Sequence, residues 1–259
     1  RHIPMSETAR FRYVQARLQS RHGDRADDLV WRRLQSIGDL ANYLQAAQQT
    51  TLRRWVTGLH SKHSSHEIEF NLRRHYRDYV DEVSHWLPTR WTSSIQMLKR
   101  VPDLPALQHL MAGESIPAWM FDDPELNAFA SENQGTRLEA IQNSDLAWLA
   151  DGWQQDRALV DSWLDYWRSK WPSAPRLTGG LDQLARLMQE HIQTQYENPV
   201  PAGDQRGTLT RKLTGVFRRH SFQPAATVAH LGMVALDLEK LRGDLVSRQL
   251  YVETAVAAT

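Results

Sequence analysis

Apolar residues recur at steps of three and four along almost the whole chain, and no segment alternates apolar and polar positions as a half-buried strand would. The pattern predicts helices over residues 6–21, closing at Gly23, and over 27–35, 39–48 and 52–59. Ser64-Ser65-His66-Glu67 has the spacing of a capping box, in which the Ser64 and Glu67 side chains each satisfy a free backbone N–H. Behind it Ile68, Leu72, Tyr76, Tyr79, Val80, Val83 and Trp86 form one stripe, which Leu87-Pro88 ends. Further helices fit 89–100, 104–111, 124–130 and 137–143. Ser144 is placed to cap another that ends near Gly152, and 155–171 carries Val160, Trp163, Trp167 and Trp171 on one face. In FDDPE, Asp123 is expected as the cap and Pro124 as the first residue of the 124–130 helix.

The last helices are expected over 208–219 and 224–249. On a helical wheel Leu231, Val234, Leu238, Leu241 and Leu245 form one stripe of the second of these. Ala229, Met233 and Leu236 line the opposite side, but beyond Leu238 that side holds Lys240 and Asp244. The first half is therefore expected to be enclosed on two sides and the second half to be one-faced. Asp244 and Arg248, four apart, are spaced to pair. Arg242 borders the apolar stripe. There it can cover the stripe, form an internal ion pair, or offer its guanidinium to a partner.

These elements predict an all-α helical bundle of about twelve helices. Arg1 to Pro4, ahead of Met5, read as a cloning remnant. Residues 5–197 form a helical body that allows two related units. Residues 198–207, with two prolines and two glycines, form a loop or hinge, and 208–259 a C-terminal helical pair. Long helices close on HWLP (85–88), KWP (170–172) and SFQP (221–224), which is compatible with a repeated helical unit or with the ordinary habit of proline following helices.

Charge narrows the function classes. The 31 Lys and Arg residues nearly balance 30 Asp and Glu, so neither a nucleic-acid nor an acidic-membrane footprint dominates, which leaves room only for a local basic patch. No cysteine is present, which removes disulfides, thiolate zinc sites and a cysteine nucleophile. No signal peptide follows Met5, and no apolar run is long enough to span a bilayer; the chain reads as soluble and cytosolic. His60, His63 and His66, with Glu67 adjacent, have spacing that could share a metal ion. They straddle a helix boundary, however, and no tight site is expected. No nucleophile elbow, phosphate loop or dinucleotide fingerprint occurs, and no catalytic residue or cofactor is assigned. Of the ten Trp residues, Trp163 and Trp167 are expected in the core, while Trp171, at a helix end, suits either core or docking surface.

The last helix also resembles the C-terminal helix of the V-type ATPase C/d-subunit family. Asp237-Leu238, Leu241-Arg242, Leu245-Val246 and Ser247-Arg248 stand where that family shows Glu-Ile, Leu-Arg, an aliphatic pair and Gly-Lys. Tyr13, Ala16 and Arg17 are similar to its opening helix, and 36–48 and 67–80 fall where it has a leucine-rich helix and a long one. The chain departs from the family in lacking its Tyr-Asp-x-x-Asn-Leu-Lys motif, where VPDLPALQHL stands instead, and in being shorter. The resemblance implies a funnel-like, non-catalytic subunit of three similar helical units at the cytosolic face of the inner membrane, linking central-stalk and rotor-ring subunits without spanning the bilayer. Arg242, Arg248 and Trp171 are the candidate interface residues. A free-standing helical adaptor, or a metal-dependent enzyme built on His60, His63 and His66, are the alternatives.

Overall fold

The computed structural model describes residues 6–155, 157–197 and 202–257. Among them 76% of the chain is helical and no strand occurs, giving twelve helices when abutting segments are joined. The expected remnant at 1–4 lies outside the described residues.

The chain opens with α1 (Glu7–Gly23), α2 (Asp28–Gln35), α3 (Leu40–Gln48) and the single turn α4 (Arg53–Val56). Ser6, Asp27 and Asp39 each accept a backbone N–H at the start of α1, α2 and α3, so three of these starts are fixed by side-chain caps. The capping box of Ser64 and Glu67 begins α5 (Ser65–Ser84), and both reciprocal bonds are present.

A 3-10 turn (Thr89–Trp91), α6 (Thr92–Gln96) and a second 3-10 segment (Met97–Asp103) then lead into α7 (Leu104–Met111). The helix expected over 89–100 is thus broken into three pieces. Next come α8 (Ala118–Asp122), a 3-10 turn (Asn127–Phe129), α9 (Gln134–Gln142), α10 (Ala147–Gln154) and α11 (Leu159–Ser169). The helix expected at 124–130 is absent. Asp123 follows α8 instead of capping a helix, and its carboxylate is buried against Arg73.

Three long helices follow: α12 (Pro175–Glu197), α13 (Ala202–Arg219) and α14 (Pro224–Ala257). Of the loop expected at 198–207, residues 198–201 lie outside the described ones, and from Ala202 the backbone is already helical. Two glycines there do not outweigh the regular apolar spacing that follows. The three aromatic closings differ in surroundings: Trp86 is buried, Trp171 partly buried and Phe222 exposed.

The centre of the molecule is α14. It packs against α1, α3, α5, α12 and α13. Its stripe from Leu231 to Leu245 is buried, and so are Ala229, Met233 and Leu236 opposite. The doubly enclosed first half is as the wheel indicates. Beyond Leu238 the other side is covered as well, but through polar contacts. The Lys240 ammonium lies 4.4 Å from the Trp31 ring centre, and the Tyr43 hydroxyl donates to Asp244 at 3.0 Å. The second half is therefore not one-faced; it is where α2 and α3 dock.

Candidate functional site

Six elements form a closed ring. Going round it, α5 packs on α14, α14 on α12, α12 on α11, α11 on α7, α7 on the 97–103 segment, and that segment on α5 again. Inside the ring is a cleft of about 870 Å³. Native interiors leave few voids larger than a water molecule, so a space of this size is a feature to be explained.

Local sequence makes the space. The face of α14 turned to the cleft carries Val228, Gly232 and Ala235, small residues at helical spacing. A Cβ at Gly232 would stand 3.2 Å from Leu213 Cδ1, so this glycine lets α13 close on α14 at the cleft edge. Across from them Leu72 and Tyr76 of α5 and Leu184 and Met188 of α12 supply apolar walls. Burial pushes the Tyr76 phenol well above its ordinary pKa, so it stays protonated.

The rim is polar and clasped. Arg242 of α14 donates Nε–H to Glu69 of α5 at 2.9 Å. Arg206 of α13 meets Glu239 of α14 at 3.1 Å, and Gln189 of α12 donates to Asp161 of α11 at 2.9 Å. Burial holds His191, also on the rim, below the ordinary imidazole pKa. The cleft is thus an apolar basin with cross-helix polar pairs around its mouth. Concave, mostly apolar walls with a few polar groups at the mouth are the usual form of a binding site.

The sequence-predicted interface residues do not converge. Arg242 sits on the rim, its side chain 53% exposed. Arg248 turns inward: it donates to the carbonyl oxygens of Ile37 and Gln35, and its guanidinium lies 4.3 Å from the Tyr43 ring centre. The last carbonyls of α2 have no intrahelical donor, and Arg248 supplies one. Towards Asp244 it bonds the backbone carbonyl, not the carboxylate, so the side-chain pair expected between these residues is not formed. Trp163 and Trp167 are fully buried and stacked at 5.5 Å. Trp171 is partly buried and meets Trp167 edge-on at 5.0 Å.

The histidines separate as well. The His60 and His63 rings lie 5.1 Å apart, but His66 stacks on Trp119 of α8 at 5.5 Å. Glu67 is held by Ser64, whose N–H and hydroxyl keep its carboxyl below the usual range. Among the described residues no group of three or more His, Cys, Asp or Glu is arranged to hold a metal ion.

Two charged arrangements escape the sequence pattern. Asp103 is fully buried and accepts from Arg77 at 2.6 Å and Arg100 at 3.2 Å, with Arg73 at 3.9 Å. Arg25, in the link between α1 and α2, grips Asp237 of α14. Such pairs follow from tertiary placement, and no local spacing marks them.

No family model, curated protein or solved structure matches the chain. Among the described residues no helix is long and apolar enough to cross a membrane.

Proposed function

We propose that the chain is a non-catalytic helical docking subunit whose ring-walled cleft receives an apolar helical segment of a partner protein. The supporting observation is the cleft of about 870 Å³, apolar inside and clasped by Glu69–Arg242 and Arg206–Glu239 at its mouth. A helix laid into a groove offers apolar side chains at intervals of three and four to the basin, and polar ones to the rim. The resemblance to the V-type ATPase C/d-subunit family supplies a specific form of this reading. In it, the base of a central stalk enters the basin while the outside rests on a membrane rotor ring. An adaptor serving another complex would use the same basin.

The test is a pull-down from native membranes followed by mass spectrometry, with wild type and Ala235→Trp. Ala235 lines the cleft and is partly exposed, so an indole there fills the basin with little disturbance of the core. Recovery of rotary ATPase subunits by wild type and their loss from a normally melting Ala235→Trp protein is the expected result. Recovery of unrelated proteins that also depend on Ala235 favours the adaptor. An identical set of proteins on both baits overturns the reading.

A further inference from the structure

The chain's near-neutral total hides a segregated region. From Gln205 to Leu236 no Asp or Glu occurs, yet the stretch holds Arg206, Arg211, Lys212, Arg218 and Arg219. Arg206 turns to the cleft and Glu239, while Arg211, Lys212, Arg218 and Arg219 are exposed on the outside of α13. Lys212 reaches Glu190 of α12 at 3.4 Å, a pair exposed on both sides; Arg218 and Arg219 have no ion-pair partner among the described residues. Among the described side chains, α12 exposes Glu190, engaged with Lys212, and Asp182, and α13 exposes Asp204 in its first turn, ahead of the basic stretch.

The α13–α14 turn adds a second feature. Phe222 has φ of 67°, where a bulky residue is strained, and the residue is 53% exposed. The turn is locked from inside: the Phe222 N–H donates at 3.1 Å to the side-chain oxygen of Gln15, a buried residue of α1. Glycine would adopt this backbone without cost. The fold therefore holds an aromatic ring out into solvent, three residues past the last of four outward cations.

From this juxtaposition we infer that the outer face of α13, with Phe222 at its tip, is a docking surface for an anionic lipid bilayer. Four Lys and Arg residues on one helix match the charge that attracts a protein to acidic headgroups, and an aromatic ring at their end suits the headgroup–acyl boundary. A soluble polyanion would use the cations but has no need of the exposed ring. The surface lies apart from the cleft and does not depend on what the cleft binds.

The test uses the whole chain in flotation with vesicles of phosphatidylcholine, alone or with a minority of phosphatidylglycerol. Binding is expected only to the anionic vesicles and is expected to vanish near ~1 M salt, where the screening length falls to ~3 Å. Replacing both Arg218 and Arg219 by Gln should weaken it about thirty-fold, taking roughly 1 kcal/mol for each cation near the surface. Phe222→Gly should weaken it about ten-fold while melting at or above the wild-type temperature, because the strained residue is replaced by one suited to the turn. The inference fails if phosphatidylcholine alone binds equally, or if Phe222→Gly binds anionic vesicles like wild type. It also fails if a homopolymeric RNA is bound and the vesicles are not.

Discussion

Arg25 and Asp237 are 212 positions apart in sequence and form a two-pronged bond: Nε lies 2.7 Å from one carboxylate oxygen and Nη2 2.9 Å from the other. The same guanidinium sends Nη1 to the Met233 sulfur at 3.2 Å, one turn earlier on α14. Both side chains are largely buried. Burial pushes the Asp237 carboxyl above its ordinary pKa, and the Arg25 charge opposes that rise without cancelling it. The pair fixes the α1–α2 link against the middle of the central helix.

Removing one partner leaves a buried charge without its counterpart. Arg25→Met is therefore expected to cost ~3–5 kcal/mol, whereas the double change Arg25→Met with Asp237→Leu should recover much of that loss. Urea unfolding of the two proteins compares them directly. A single variant as stable as wild type would show that the pair is not under strain from burial.

His230 sets a pH dependence. It is fully buried, its Nε2 is 2.7 Å from the Tyr79 hydroxyl, and burial drives its pKa down to about 3. Its unfolded pKa is near 6.5. The folded value is depressed, so the unfolded chain takes up the proton first as pH falls. Stability from this group is present above about 6.5 and declines between there and about 3. At pH 4.5 the loss should reach ~2–3 kcal/mol, and His230→Gln should flatten this part of the curve. Urea midpoints at pH 7.5 and 4.5 for both proteins measure the difference. His22, also lowered by burial, adds in the same direction in both proteins.

Adjacent glycines of α12 give a matched pair. A Cβ on Gly180 would sit 2.6 Å from the Ala225 Cβ and 2.8 Å from the His220 ring, while Gly179 has open space. Gly179→Ala is expected to stabilise by up to ~1 kcal/mol through the helix. Gly180→Ala should destabilise by ~1–3 kcal/mol, since α12 must move off the start of α14. Thermal melting of the two variants decides; equal shifts in one direction contradict the packing at Gly180.

Arg242→Met separates stability from docking. The pair with Glu69 is half exposed on the arginine side, so breaking it should change stability by less than ~1 kcal/mol. If the rim contacts a partner, recovery in a pull-down should fall by roughly ten-fold or more, as expected when a charged hydrogen bond worth ~1.5–3 kcal/mol is lost. A variant that melts normally and recovers every partner removes Arg242 from the docking surface.

Much of the helical plan is legible locally, because caps and apolar periods act within a few residues. Ser64 with Glu67, and the two stripes on the first half of α14, are read directly from spacing. Asp123 misled because Asp-Pro is a strong helix-start signal, and the residue is instead drawn to Arg73, 50 positions away. Arg248 misled because i, i+4 pairing competes with carbonyls at the end of α2 that only the folded chain brings near. The cleft left one trace in the sequence, the small residues Gly232 and Ala235 set among the larger Leu231, Val234, Leu236 and Leu238. Small residues serve close packing as often as open space, so the pattern could not decide between them.

The placement of α14 has a consequence for how the protein is born. The helix around which α1, α3, α5, α12 and α13 assemble is synthesised after all of them. Until then the apolar stripes of α1 and α5 have no native surface to cover them, and their contacts with α14 span most of the chain. Such distant pairings form slowly, and the waiting surfaces are open to aggregation or to chaperones. A nascent chain halted before Pro224 should therefore remain a chaperone client, and emergence of α14 should be the step that commits these helices to their fold.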